Sequence, residues 1–435
     1  MGSLDAGPQD TGADLHGWAS DLFPLDRSLT GDGVRQTLAY LGALIPALTV
    51  HEVPSGTPAF DWTVPDEWAI REAWLEDACG RRILDHAWSN LHVVGYSEPV
   101  DAMLTREELE PHLHSLPELP DAIPYVTSYY RRTWGLCLTQ RQRDALGDGP
   151  FHVRIDSTLG PGHLTYGEVV LPGTDAGEIL LSTYVCHPSM ANNELSGPVI
   201  ATALARWIAS LPEHRYTYRV LFLPETIGSI TYLSRHLTHL QQHVRAGWVL
   251  TCMGDERTYS YVPSRLGGTL ADRISDRVVA ELGLDCLRYT FLDRGSDERQ
   301  YCAPGIDLPI ASLMRSKYGQ YPEYHTSLDD LTFVTPTGLQ GSLDMMAQAI
   351  RIAETNRRWR ATVLGEPQLG RRGLYPTTST RSSGASVRTM MNVLAYADGD
   401  HDVLDLADIC GVPTSVIAEI CATLAEAGLL AEVAD

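Results

Sequence analysis

The sequence predicts an α/β protein: a mainly parallel sheet with helices on both faces, and extra material on either side of that core. Three observations lead there. From Phe151 to Trp359, strand-length apolar runs alternate with helix-length amphipathic ones, the pattern of a crossover sheet. Several of those runs end abruptly on a histidine, a glutamate or an amide-rich loop, as happens where an open sheet presents its carboxyl edge to a ligand. A composition of 44% hydrophobic and 20% charged residues over 435 positions suits a globular chain of roughly two or three domains.

Taken in order, residues 1–13 have no apolar periodicity and read as disordered. Residues 14–48 are helical in pattern, with Val34, Leu38 and Leu41 on one face. Residues 53–119 carry Trp62, Trp68, Trp74 and Trp88, many prolines and short alternating runs, and predict a small β-rich unit inserted at 51–120. Residues 123–135, aromatic and basic together, are read as packing at a domain junction or as a substrate wall. The runs 151–156 and 165–171 predict a β pair. Strands follow at 178–185, 216–224, 247–253 and 307–314, and helices at 198–211, 226–243, 270–282 and 337–359. Ser196 suits an N-cap and Pro198 a first turn. Residues 371–383 are polar and read as a linker. The last piece has a helix, a short helix, a glycine turn, a longer helix and an apolar tail, a winged-helix-like order. The predicted division is 14–50 with 121–365 as the catalytic domain, 51–120 as the insert and 380–435 as the tail.

Four loops converge on the carboxyl edge of the predicted sheet. They carry His187 with Asn192 and Asn193, then Glu225, then residues 251–255, then His325. A glutamate closing an apolar strand, as Glu225 does, is hard to explain by packing and points to a site.

These loops resemble the motifs of the co-catalytic zinc aminopeptidases and the related glutaminyl cyclases. Residues 191–197, ANNELSG, are similar to that family's metal loop. Residues 224–229, PETIGS, resemble its Glu-Glu segment; 295–301, GSDERQY, with 305–309, GIDLP, its Ser-Asp-His segment; and 324–329, YHTSLD, its Tyr-His-Thr motif. Order and spacing agree over residues 150–360. More closely, CHPSMAN at 186–192 and IPYVTSYY at 123–130 resemble a bacterial aminopeptidase-like branch with a β insert and a C-terminal winged helix. The resemblance implies a three-layer α/β/α zinc-peptidase-like core, with His187 and His325 as metal ligands and Glu225 as general base. It also implies three ligand carboxylates that this sequence lacks: their positions hold Asn193, Thr226 and Thr251. Two buried divalent ions without those charges would be very costly, unless Glu194, Asp255 or Asp297 stands in.

The expectation is therefore a metal-dependent hydrolase of an aminoacyl amide or short peptide. A single zinc sits on His187, His325 and Asn193, with Glu225 and Asp297 catalytic; alternatively Glu225 is the third ligand and Asp297 or Glu298 the base. Asp255, Glu298 and Tyr324 are substrate-binding residues. Two other chemistries stay open: a metal-free cyclase or acyl transferase in a biosynthetic pathway, and a non-catalytic binding or assembly module.

Charge and composition exclude other classes. A net charge of −22 argues against nucleic acid and anionic membranes. From Ala385 onward the chain has only Arg388 as a fixed positive charge, so the tail is read as a packing or homodimerisation element rather than a DNA reader. There is no membrane-length apolar run and no signal-peptide pattern, and the eight cysteines form no CxxC pair, so a cytoplasmic location is expected.

Overall fold

The computed structural model describes residues 4, 6–129, 131–374 and 381–433. It divides into two compact units, residues 1–272 with 285–346, and residues 273–284 with 347–435.

The first unit is built on an eight-stranded sheet. In chain order its strands are β1 (Thr49–Pro54), β2 (His163–Leu171), β3 (Glu178–Tyr184), β4 (Thr217–Leu223), β5 (Val244–Val249), β6 (Tyr259–Val262), β7 (Cys286–Arg288) and β8 (Ile310–Met314). Their order across the sheet is β1-β2-β4-β3-β5-β8-β6-β7. The four central strands β4, β3, β5 and β8 run parallel, while β1, β2 and β6 pair antiparallel with their inner neighbours. Every residue of β3 is buried, as expected of a central strand covered on both faces. Helices Gly12–Leu22 and Asp32–Leu44 pack on helix Ser196–Ser210, which lies against β3. Val34, Leu38 and Leu41 are fully buried, on the face the periodicity indicated.

A separate antiparallel sheet of four strands is ordered Arg82–Asp85, Glu67–Glu76, Phe151–Gly160, Val100–Leu104. Three of these strands come from the tryptophan-rich stretch. The fourth corrects the expected β pair: Phe151–Gly160 belongs to this sheet, whereas β2 pairs with β1 and β4 in the central one. Trp68 and Phe151 are buried in one continuous apolar core that also holds Leu164 and Tyr166 of β2.

The second unit contains a three-stranded sheet, Asp398–Asp402, Arg358–Ala361 and Leu430–Val433 in that order, with helices Arg381–Tyr396, Val403–Cys410 and Thr414–Glu426. Gly411 ends the middle helix in the left-handed conformation, with φ 64°. Strand Arg358–Ala361 lies well before residue 380, where the tail was expected to begin. The preceding helix, Pro336–Thr355, stops short of the 359 read from its periodicity. Of the expected linker, residues 375–380 lie outside the described residues, and a helix already begins at Arg381.

Candidate active site

Each central parallel strand delivers one chemical group just past its carboxyl end. β3 runs into Cys186 and His187, β4 into Glu225, β5 into Thr251 and Cys252, and β8 into the loop that carries Tyr324 and His325. Each of these loops also holds a non-glycine residue in the left-handed region: Ser189 (φ 43°), Thr226 (φ 63°), Cys252 (φ 53°) and His325 (φ 55°). Such conformations are strained for L-residues and gather where a site imposes its own geometry.

Between His187 and helix Ser196–Ser210 the chain makes one turn of π-helix, Ala191–Leu195, with every residue buried. This turn corrects the reading of Ser196. The chain is already helical there, so the hydroxyl donates back to Asn192 O at 2.5 Å and accepts the Met253 N–H at 2.8 Å instead of capping. The turn is held by Asp329, whose carboxylate accepts the N–H groups of Asn192 (2.5 Å) and Asn193 (3.0 Å) and the Tyr321 hydroxyl (3.1 Å). Burial nonetheless pushes the Asp329 carboxyl up to about 7.

The histidines are neighbours. Their ring centroids lie 5.2 Å apart at 43°, and Tyr125 packs against both, at 4.9 Å from His187 and 5.3 Å from His325. Tyr125 belongs to the aromatic stretch read as junction packing or wall, so that stretch reaches the site itself. Tyr324 stacks on His325 at 3.9 Å. Burial, with His187 close by, pulls His325 down to about 3, so its imidazole is neutral at pH 7.

Glu225 places Oε2 3.5 Å from His187 Nε2 with its side chain 18% exposed. Burial pushes its carboxyl up to about 7, against the pull of His187 and with the help of Asp297. Asp297 is fully buried. Its Oδ1 accepts the Thr226 N–H and the Ser229 hydroxyl, each at 2.8 Å, and so holds the strained turn that carries Glu225. Its own carboxyl is also raised by burial.

His187 Nδ1 lies 2.7 Å from Glu194 Oε2. Cys186, His187 and Glu194 bring a sulfur, a nitrogen and an oxygen within 4.8 Å, the one such trio among the described residues. At 2.7 Å the nitrogen and oxygen share a proton, and the buried Arg27 guanidinium stands 3.9 Å from Glu194, so this trio is a hydrogen-bonded cluster rather than a cation site. The sequence offers Glu194 only as a stand-in metal ligand, whereas here it is the hydrogen-bond partner of His187, and it gives no sign of Arg27. Arg27 joins the cluster across 160 residues of sequence, which no local pattern could show.

Two of the residues expected to bind substrate are tied up by the chain itself. Asp255 accepts from Arg257 N–H (2.9 Å), Ser316 N–H (2.9 Å), Ser316 Oγ (2.8 Å) and Asn192 Nδ2 (3.2 Å), which leaves it a structural clasp between loops. Glu298 Oε1 accepts from Gly295 N–H, Ser296 N–H and Tyr318 OH, and only its Oε2 is without a partner. Thr251 and Thr226, at two of the missing carboxylate positions, are likewise engaged. Thr251 Oγ1 donates to Asn193 O at 2.8 Å, and Thr226 Oγ1 accepts from Arg299 at 2.5 Å.

Asn193 Oδ1 and His325 Nε2 are among the buried atoms of the site that have no hydrogen-bond partner. They are two of the three atoms expected to ligate zinc. Two imidazoles on one tetrahedral ion, with Zn–N of about 2.0–2.1 Å, would place their centroids roughly 5 Å apart, close to the observed separation. The residues thus fit one zinc ion. A second ion would lack the carboxylates whose positions Thr226 and Thr251 occupy.

The central sheet with its covering helices shares the fold of the zinc aminopeptidases. The zinc aminopeptidase of Bacillus subtilis superposes with a TM-score of 0.57 at 12% identity, covering 79% of this chain and 95% of that one. The chain itself belongs to the family described as domain of unknown function DUF4910, whose profile matches residues 16–356, while a winged helix-turn-helix profile matches residues 357–432. A Clostridium acetobutylicum protein provisionally named for polysaccharide biosynthesis, with an aminopeptidase-like domain, is 43% identical over 400 residues, 92% of this chain and 91% of its own. A crystal structure of a provisionally named peptidase from the same species matches with a TM-score of 0.91 at 41% identity, covering 99% of this chain and 97% of that one.

Proposed function

We propose that this protein is a single-zinc hydrolase of an aminoacyl amide or short peptide, with His187, His325 and Asn193 holding the ion and Glu225 as general base. The observation that carries the reading is Glu225 itself: a carboxylate beside His187, held near neutrality, next to two unpartnered buried ligand atoms. When bound, zinc would polarise the scissile carbonyl and make water more acidic. Glu225 then takes the proton from the attacking water and returns it to the leaving amine, a task suited to a group that titrates near the working pH. Asp297 acts through the Thr226 turn to keep Glu225 in place. Tyr324 and Tyr125 wall the histidines and exclude water. The Clostridium relative's name sets this chemistry in a biosynthetic context, so the amide cleaved is more naturally part of a polysaccharide precursor than a dietary peptide.

Asp297 favours a second reading. Its Oδ2 is buried without a partner and its carboxyl is raised alongside that of Glu225, so the two could serve as acid and base for metal-free cyclisation or acyl transfer. Zinc stoichiometry with turnover of leucine and alanine 4-nitroanilides separates the readings. One zinc per chain, lost together with activity in His187→Ala, supports the hydrolase. Two zincs would mean that the ligands are misassigned. Activity without zinc would move the chemistry to the carboxylates, and neither zinc nor activity would leave a binding module.

A further inference from the structure

We infer that Arg27 and Glu194 form a buried positioning pair that fixes the tautomer and aim of His187, so that a residue from the N-terminal segment sets the affinity of the metal site. The inference rests on the reading of His187 as a zinc ligand.

An ionised carboxylate can only accept, so the 2.7 Å contact with Glu194 Oε2 requires the proton on His187 Nδ1. Neutral His187 must then present Nε2 as a lone pair, on the side where Glu225 lies. Carboxylate partners of this kind orient ligand histidines and strengthen their donation. Glu194 has no exposed surface, and its Oε1 has no hydrogen-bond partner. A buried carboxylate without a countercharge is costly, and Arg27 supplies one. Its guanidinium, also without exposed surface, stands 3.9 Å from Oε1. The guanidinium is itself fixed, with Nε donating to His187 O at 3.0 Å and Nη1 to Leu22 O at 2.6 Å. Arg27 therefore grips the His187 backbone and sets its charge behind the carboxylate that holds the ring. A buried ion pair is seldom retained for stability, because apolar replacements of similar size serve at least as well. Control of the imidazole accounts for this one.

The test compares the full-length wild type with Glu194→Gln and with the double variant Arg27→Met/Glu194→Met. The double variant removes both charges together and so leaves no lone buried ion to unfold the chain. Zinc affinity is measured by competition with a chromophoric chelator. The His187 tautomer is read from imidazole nitrogen NMR of the metal-free protein at pH 9. The expected result is roughly 10- to 100-fold weaker zinc binding in both variants, with Nδ1 protonated in the wild type and its proton lost to Nε2 in the double variant. Wild-type zinc affinity in a folded double variant would overturn the inference, as would an Nε2-protonated His187 in the wild type. If the wild type binds no zinc, the hydrolase reading fails, and the nitrogen spectra still decide whether the pair controls His187.

Discussion

Replacing Glu225 by glutamine should separate activity from stability in opposite directions. The side chain keeps its size, so packing is unchanged and only the ionisable proton is lost. Burial raises this carboxyl from 4.5 to about 7 in the folded protein. A group raised on folding favours the folded state fully below its unfolded value, and that contribution is lost as pH climbs through the folded value. At pH 8 the ionised Glu225 is therefore a burden that glutamine does not carry. The gap between 4.5 and about 7, at roughly 1.36 kcal/mol for each pH unit, sets an upper limit of about 3 kcal/mol. The attraction to His187 is already contained in that gap, and we expect Glu225→Gln to be about 1–3 kcal/mol more stable at pH 8. At pH 4 the two proteins should be equal. The assay is urea unfolding of metal-free protein at both pH values. In parallel, turnover of an aminoacyl 4-nitroanilide by the zinc-loaded protein should fall roughly 100-fold or more, the usual scale for losing a general base. Turnover within about threefold of wild type would remove Glu225 from the chemistry. A stability gain equal at both pH values would show that the carboxyl is not held up by burial.

Other expectations follow from packing and charge. Gly197→Ala should cost several kcal/mol, roughly 3 or more, in thermal or urea unfolding, because the added Cβ would collide with Leu250 O and Thr183 Oγ1 at the start of the helix behind the site. In the second unit, Asp402 accepts Arg273 through two bonds of 2.7 Å and caps helix Val403–Cys410 by accepting the Asp405 N–H. Asp402→Ala should then destabilise that unit by about 2 kcal/mol, an effect that shrinks in acid, because this carboxyl is held below its ordinary range and its contribution fades as pH falls through that lowered value. The winged-helix unit should show no salt-sensitive micromolar affinity for duplex DNA by fluorescence anisotropy, since helix Thr414–Glu426 has no lysine or arginine and two glutamates.

His325 lies in the polar loop beyond β8 and was legible only through the YHTSLD motif. His187 and Glu225 were legible because each stands just past an apolar strand, and parallel strands deliver their carboxyl ends to one edge. Asp255 showed the same signal and was misread, because nothing in sequence shows that Ser316 and Asn192 will surround it. Arg27 and Asp329 escaped for a related reason: their value lies in partners brought up by tertiary packing. Strands β6 and β7, four and three residues long, are too short for a period to emerge. The division of the tail failed at strand Arg358–Ala361, which follows a helix so closely that its tryptophan looked like one more helical position.

The four left-handed residues at 189, 226, 252 and 325 have a practical consequence for anyone evolving this protein. Each conformation costs on the order of 1–3 kcal/mol, and glycine or asparagine would adopt it more comfortably. A library sorted only for heat resistance should drift toward those residues at these four positions, one in each site loop. The hardiest clones would have slackened the loops that aim His187, Glu225 and His325. Read in reverse, four of the seven described non-glycine positions with positive φ, where such a selection would enrich glycine, lie in the site loops.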